Sequence, residues 1–253
     1  PATYHSPLAH AAYHDLLRSL LDEAVSAVRG TPTRVERNGR AYWYDSYRVG
    51  SEVKKSYIGE DSEALRQRLE QIPALREQTA AAQANRTRLI RILRAEGFLG
   101  VDAGTGSLLA AMAKAGVFRL GGTLVGTVAF RLYEGELGIR FGLDQAAQTN
   151  DIDIASVERL SLALDDVVEE ALPRMLAGFS FAPAPVLDER RAWRWRQSRS
   201  ETLVEFLTPA FTEREEPRQL PALGIHAHSL HYLNYLIAEP VKAAVTYRGG
   251  VLV

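Results

Sequence analysis

Between residues 8 and 28 the apolar side chains Leu16, Leu17, Leu20, Leu21, Ala24, Val25 and Val28 recur at helical spacing, and Gly30 and Pro32 close the pattern. An amphipathic helix is predicted there. Over 34–58 the periodicity changes: Tyr42, Tyr44 and Tyr47 mix with basic residues around Asn38-Gly39 and Gly50, the pattern of short strands joined by turns in a small sheet. Asp61 and Ser62 are N-cap types at the head of a second helical pattern, which runs to about Glu96 and is interrupted at Pro73. Its alternating charges predict a long solvated helix or a helix pair.

Glycines punctuate 97–106 ahead of a short helix at 107–115, which sets a domain boundary near residue 100. Residues 1–100 then form an accessory region of helices and a small β element, and 101–253 form the core. In the core the pattern is α/β. A strand is predicted at 117–120, a tight turn at Gly121-Gly122, a helix at 123–133, a buried strand at 151–155, a helix at 160–175, and a strand pair at 192–197 and 202–207.

Three places in the core carry candidate chemistry. Gly121-Gly122-Thr123 lies between a predicted strand and a predicted helix, so it is either a tight turn or a close-approach loop whose free helix N–H groups meet an anion. Asp151 and Asp153 alternate with Ile152 and Ile154, which puts both carboxylates on one face of a strand about 7 Å apart. Such a pair is either the solvated face of an edge strand or a site where a hard cation such as Mg²⁺ relieves the repulsion. Glu205 is a lone acid between Val204 and Phe206 in an apolar strand, at a sequence distance that suits a neighbouring strand.

Taken in order, Gly121-Gly122-Thr123, Thr149-Asn150-Asp151-Ile152-Asp153-Ile154-Ala155 and Val204-Glu205-Phe206-Leu207-Thr208-Pro209 resemble the nucleotidyltransferase superfamily related to DNA polymerase beta. They are most similar to a bacterial family of nucleotidyltransferase-fold proteins of uncharacterised activity. The resemblance covers about 100–253 and implies a nucleotidyltransferase-type mixed sheet flanked by helices. It further implies metal-dependent nucleotidyl transfer from a nucleoside triphosphate to an acceptor hydroxyl, with release of pyrophosphate. By resemblance, Asp151 and Asp153 bind Mg²⁺ or Mn²⁺, Glu205 is the third catalytic and metal-binding acid, and Gly121, Gly122 and Thr123 hold the nucleotide. The chain departs from the family pattern in two places: Gly122 stands where Ser is common, and Glu205 where Asp is common. The stretch from the turn to Asp151 is long, and 136–148 is expected to form a hairpin over the site.

Other candidates are weaker. His226, His228 and His231, read at helical spacing, put only the last two on one face and leave a zinc site short of ligands. Trp193 and Trp195 alternate with Arg194 and Arg196, so a strand there has an aromatic face directed at the core and a basic face that can meet phosphate if it borders the site.

Composition narrows the field. The 253 residues carry 30 basic and 31 acidic side chains, so the chain as a whole is no polycation for nucleic acid. With no cysteine, disulfides and thiolate zinc sites are excluded. No apolar run reaches membrane-spanning length and no signal pattern opens the chain, so a cytoplasmic protein is expected. Both ends look cut, since the chain starts at Pro1 and stops in an apolar run, and a continuation past Val253 is expected. The acceptor is left open among RNA, protein and a small molecule. Two rival readings stand beside the enzyme: a nucleic-acid-binding module led by the Tyr, Arg and Lys residues of 34–57, and an inactive nucleotidyltransferase fold kept as a binding partner.

Overall fold

The computed structural model describes residues 3–49, 52–141, 151–157, 166–185, 191–198 and 200–253. Helix α1 (Pro7–Ser26) starts where Ser6 accepts a hydrogen bond from the Ala9 N–H, with Pro7 at the first position. It buries Tyr13, Leu16 and Leu20 against Leu89, Ile90 and Leu93 of α4 (Thr79–Ala95). Between them α2 (Glu63–Glu70) is capped by Ser62, and Pro73 opens α3 (Ile72–Glu77), so the long helical pattern is three helices broken at the proline and at Gln78.

Strands β2 (Thr31–Arg37), β3 (Arg40–Val49) and β4 (Glu52–Glu60) form an antiparallel sheet. Asn38 and Gly39 turn β2 into β3 with φ of 49° and 75°, the left-handed pair that an Asn-Gly hairpin turn requires. Tyr42, Tyr44 and Tyr57 are buried together in this sheet and cannot stack on bases, while Arg34 pairs with Glu36 and Asp61 and Arg40 with Glu60. The buried tyrosines of 34–57 are therefore a small core, with Arg34 and Arg40 charge-paired at its rim.

A short strand β1 (Thr3–Tyr4) pairs with β6 (Ile139–Arg140), just past α6 (Gly126–Leu137). There His5 Nε2 lies 2.6 Å from Glu134 Oε1 of α6, both side chains buried, with the His5 ring stacked on Phe98. Gly135 leaves room for the Tyr13 ring, which a Cβ would meet at 2.2 Å. Through these contacts the N-terminal segment grips the back of α6.

The large sheet runs β11 (Pro217–Leu220), β12 (Ile225–Leu230), β10 (Leu203–Pro209), β7 (Ile152–Ser156), β5 (Gly122–Val125), with β8 (Phe181–Pro183) and β9 (Arg194–Gln197) continuing from β10. Strand β10 is parallel to β7 and β12, and the other pairings are antiparallel, so the sheet is mixed. One face, carrying Ile152, Ile154, Val204 and Phe206, packs on α5 (Ala103–Ala115) and α7 (Leu172–Gly178) in the main core. On the other face, among the described residues, a smaller apolar group forms, with Val125, Ala155 and Leu207 under Leu233 of α8 (Leu233–Leu236) and Ile237. A last hairpin joins β13 (Ala244–Val245) to β14 (Val251–Leu252). No helix among the described residues is long and apolar enough to cross a membrane.

Four expectations change here. Residues 117–121 are a turn rather than a strand, because Gly116 ends α5 at φ 94° and the Val117 N–H returns to the Met112 carbonyl while the Gly116 N–H bonds Ala113, a helix-closing motif that needs an apolar residue after the glycine. Consequently Gly121-Gly122 leads into strand β5, and the next helix starts at Gly126, not at Thr123. The predicted helix at 160–175 is α7, displaced toward Pro173, while residues 166–171 are not helical and 158–165 lie outside the described residues. Residues 136–137 end α6, 139–140 pair with β1, and the remainder of the expected hairpin, 142–148, also lies outside them.

Candidate functional site

The half-polar face of the sheet gathers the acids. Asp153 on β7 is the register partner of Glu205 on β10, so the two carboxylates stand side by side on adjacent parallel strands. Asp151, just before β7, accepts a hydrogen bond from the Leu203 N–H at 3.1 Å, which ties the start of β10 to the aspartate pair. Burial, then the charges of Glu205 and Asp151, raise the Asp153 carboxyl pKa to about 6, and Arg194 opposes them. Arg194 enters because β9 pairs it with Glu205 in register, and their side chains form an ion pair.

The helix start that borders these acids is Gly126. It is paired through Val125 with Asp153 and has φ of 70°, and a Cβ at this position would meet Asp153 Oδ2 at 2.4 Å. Only glycine fits both demands. Gly121, Gly122 and Thr123 lie at the other end of β5, where Gly122 pairs with Ser156, about 10 Å along the strand from Asp153 at 3.3 Å per residue. A Cβ on Gly122 would meet Val117 Cγ1 at 2.7 Å, so that glycine serves the turn. Gly126, which borders the acids, is a weaker signal in the sequence than the double glycine; its cue is Leu124-Val125-Gly126 ahead of a helical pattern.

Trp195 faces the core, as the alternation requires, while Trp193 precedes β9 and lies between its neighbours, with the His228 ring at 4.7 Å and the Arg194 guanidinium at 4.6 Å. The histidines sit on a strand rather than a helix: His226 and His228 alternate along β12, and His231 beyond it pairs with Glu215. Among the described residues no three His, Asp or Glu side chains form a group able to hold a metal ion, and Glu205 is engaged by Arg194. Asp151 and Asp153 fit a hard divalent cation by their all-oxygen chemistry, and a cation there would offset the burial and the neighbouring acid charges that raise the Asp153 pKa.

A mixed α/β sheet that sets paired acids beside a glycine-led helix defines a class of acidic site suited to a hard cation. Residues 103–253 match a family described as nucleotidyltransferase, and with more than half of its length matched the chain belongs to that family. Residues 11–81, which take in most of α1, the three-stranded sheet, α2 and α3, match a domain of unknown function (DUF6788). No curated protein and no solved structure matches the chain.

Proposed function

We propose that the protein transfers a nucleotidyl group from a nucleoside triphosphate to an acceptor hydroxyl and releases pyrophosphate. The observation that carries this reading is the registered Asp153–Glu205 pair with Gly126 against the Asp153 carboxylate, in a chain of nucleotidyltransferase family. Asp151 and Asp153 would hold Mg²⁺ or Mn²⁺, which supplies positive charge to the triphosphate when bound. The N–H groups at the start of α6, which no side chain caps, and the Thr127 hydroxyl beside them would donate to the phosphates, a role moved here from Gly121, Gly122 and Thr123. Glu205 accepts the proton of the attacking hydroxyl once Arg194 has turned from it toward the incoming phosphates; the new bond forms at the α-phosphorus as the bond to the β-phosphate oxygen breaks. A consumer of triphosphates belongs in the cytoplasm.

The test is incubation with each α-labelled triphosphate, Mg²⁺ or Mn²⁺, and cellular RNA, protein and small-molecule fractions. Label should move to one fraction with the wild type and not with Asp151→Asn; no transfer to any fraction would leave the reading without support and favour the inactive fold. Gly126→Ala tests the moved role. Its Cβ displaces the Asp153 carboxylate, so turnover should fall about a hundredfold, whereas Thr123→Val should leave triphosphate affinity unchanged. The reverse ranking in calorimetry and rate measurements would return the nucleotide to the double glycine.

A further inference from the structure

One acid of the site already has a cation. Glu205 on β10 and Arg194 on β9 are register partners, so the sheet itself sets their ion pair, and the residues flanking Glu205, Val204 and Phe206, are fully buried in the main core. The guanidinium is held from a second direction as well. It lies 4.6 Å from the centre of the Trp193 ring, which is itself stacked on His228 at 4.7 Å. The Trp193 backbone is fixed in turn, because its carbonyl accepts the Phe206 N–H at 2.9 Å. A carboxylate on one side and an aromatic ring on the other make a seat for a planar cation. Asp153 pairs in register with Glu205 from the opposite side, so Asp153, Glu205 and Arg194 stand in one row across β7, β10 and β9. Among the described residues no cation forms an ion pair with Asp151 or Asp153. The three carboxylates thus carry one more negative charge than a divalent ion neutralises, and Arg194 supplies the balance. A second divalent ion between Asp153 and Glu205 would stand against the guanidinium, where like charges repel strongly.

We propose that Arg194 stands in for a second metal ion: the site takes a single divalent cation, on Asp151 and Asp153, and Glu205 is not a metal ligand. The inference rests on the nucleotidyl-transfer reading for the use of that cation, and on the Arg194–Glu205 pairing for the count. Many phosphoryl-transfer sites place two metal ions roughly 4 Å apart, one for the attacking and one for the leaving oxygen. Here the second positive charge belongs to the chain. When Arg194 turns to the phosphates it takes that charge with it, and the carboxylate it leaves is free to accept the proton of the attacking hydroxyl. Glu205 keeps its part as proton acceptor and loses the one as metal ligand.

The probe is Mn²⁺ alone, titrated into the full chain and counted through the electron paramagnetic resonance signal of the free ion. The wild type should bind one ion, with the spectrum of an isolated Mn²⁺. Arg194→Met, which keeps an apolar stem and removes the charge, should bind two, with the broadened spectrum of a coupled pair, and Arg194→Lys should stay at one. Glu205→Gln alone should leave the wild-type count at one, and added to Arg194→Met it should bring two back to one. Two ions in the wild type, none in the wild type, one in Arg194→Met, or loss of the ion in Glu205→Gln would each overturn the proposal. Circular dichroism checks the fold of every variant, and if Arg194→Met does not fold, the wild-type count and Glu205→Gln decide. Label transfer measured on the same wild-type sample separates the two readings. Transfer with two coupled ions bound would sink the single-ion site alone, and one bound ion with no transfer would sink the catalytic reading alone.

Discussion

Asp153→Asn is expected to abolish nucleotidyl transfer and, at the same time, to make the protein more stable at neutral pH. On the proposed reading, loss of one of the two carboxylates that would hold the divalent cation should cost transfer about a thousandfold. The stability gain follows from the carboxyl's own environment, which lifts its pKa from 3.8 to about 6. Because the folded value is the higher one, the fold prefers the protonated acid: this contribution is fully present below the unfolded value and is lost as pH climbs through about 6. Full linkage over that interval would amount to about 3 kcal/mol, and solvent screening of a half-buried group reduces it to about 1 kcal/mol. Thermal melts at pH 7.5 should therefore show the variant about 2–4 °C above the wild type, with the gap closing near pH 4. A variant no more stable than the wild type at pH 7.5 would show that the acids are already compensated.

The largest stability effect is expected far from the site, at His5. His5→Ala leaves Glu134 inside α6 with its buried carboxyl, already raised in pKa by desolvation, and without its partner. Removing one member of a buried pair costs about 3 kcal/mol, and here the loss also takes one stacked ring from Phe98, leaving Tyr13 on it. Urea unfolding should show it as a lower midpoint at unchanged slope. Glu134→Gln, which keeps a hydrogen-bonding group opposite His5, should cost less. If His5→Ala costs under about 1 kcal/mol, within the range of ordinary surface substitutions, the N-terminal segment does not grip α6.

Much of the site could be read in the sequence because strand alternation is a strong constraint. Asp151 and Asp153 between isoleucines, and Glu205 between Val204 and Phe206, admit few placements in a buried sheet, and their register puts Asp153 beside Glu205. What was misread depended on contacts that no local pattern encodes. Val117 looks like the start of a strand, and only its bond back to Met112 makes it the end of a helix; the strand after the glycines, and the helix start at Gly126, shift as a result. The tyrosines of the small sheet are as plausible for stacking as for packing until their burial is seen. Arg194 was seen as a basic face of uncertain use, and the register of β9 against β10 sets it on Glu205. His5 and Glu134 meet across most of the chain, with nothing between them in sequence to announce it.

The parallel pairing of β10 with β7 has a kinetic consequence. Parallel neighbours cannot be joined by a tight turn, so this contact closes a long loop and its entropy must be lost before the pairing returns any energy. Contacts of this kind slow folding. The same event sets Glu205 beside Asp153, so charge repulsion adds to the barrier at the moment the strands dock. Mild acid or a divalent cation, by removing that repulsion, lowers the barrier without touching the rest of the core. Until these two strands dock the Asp153–Glu205 pair does not exist, so any activity that needs both acids requires the completed sheet.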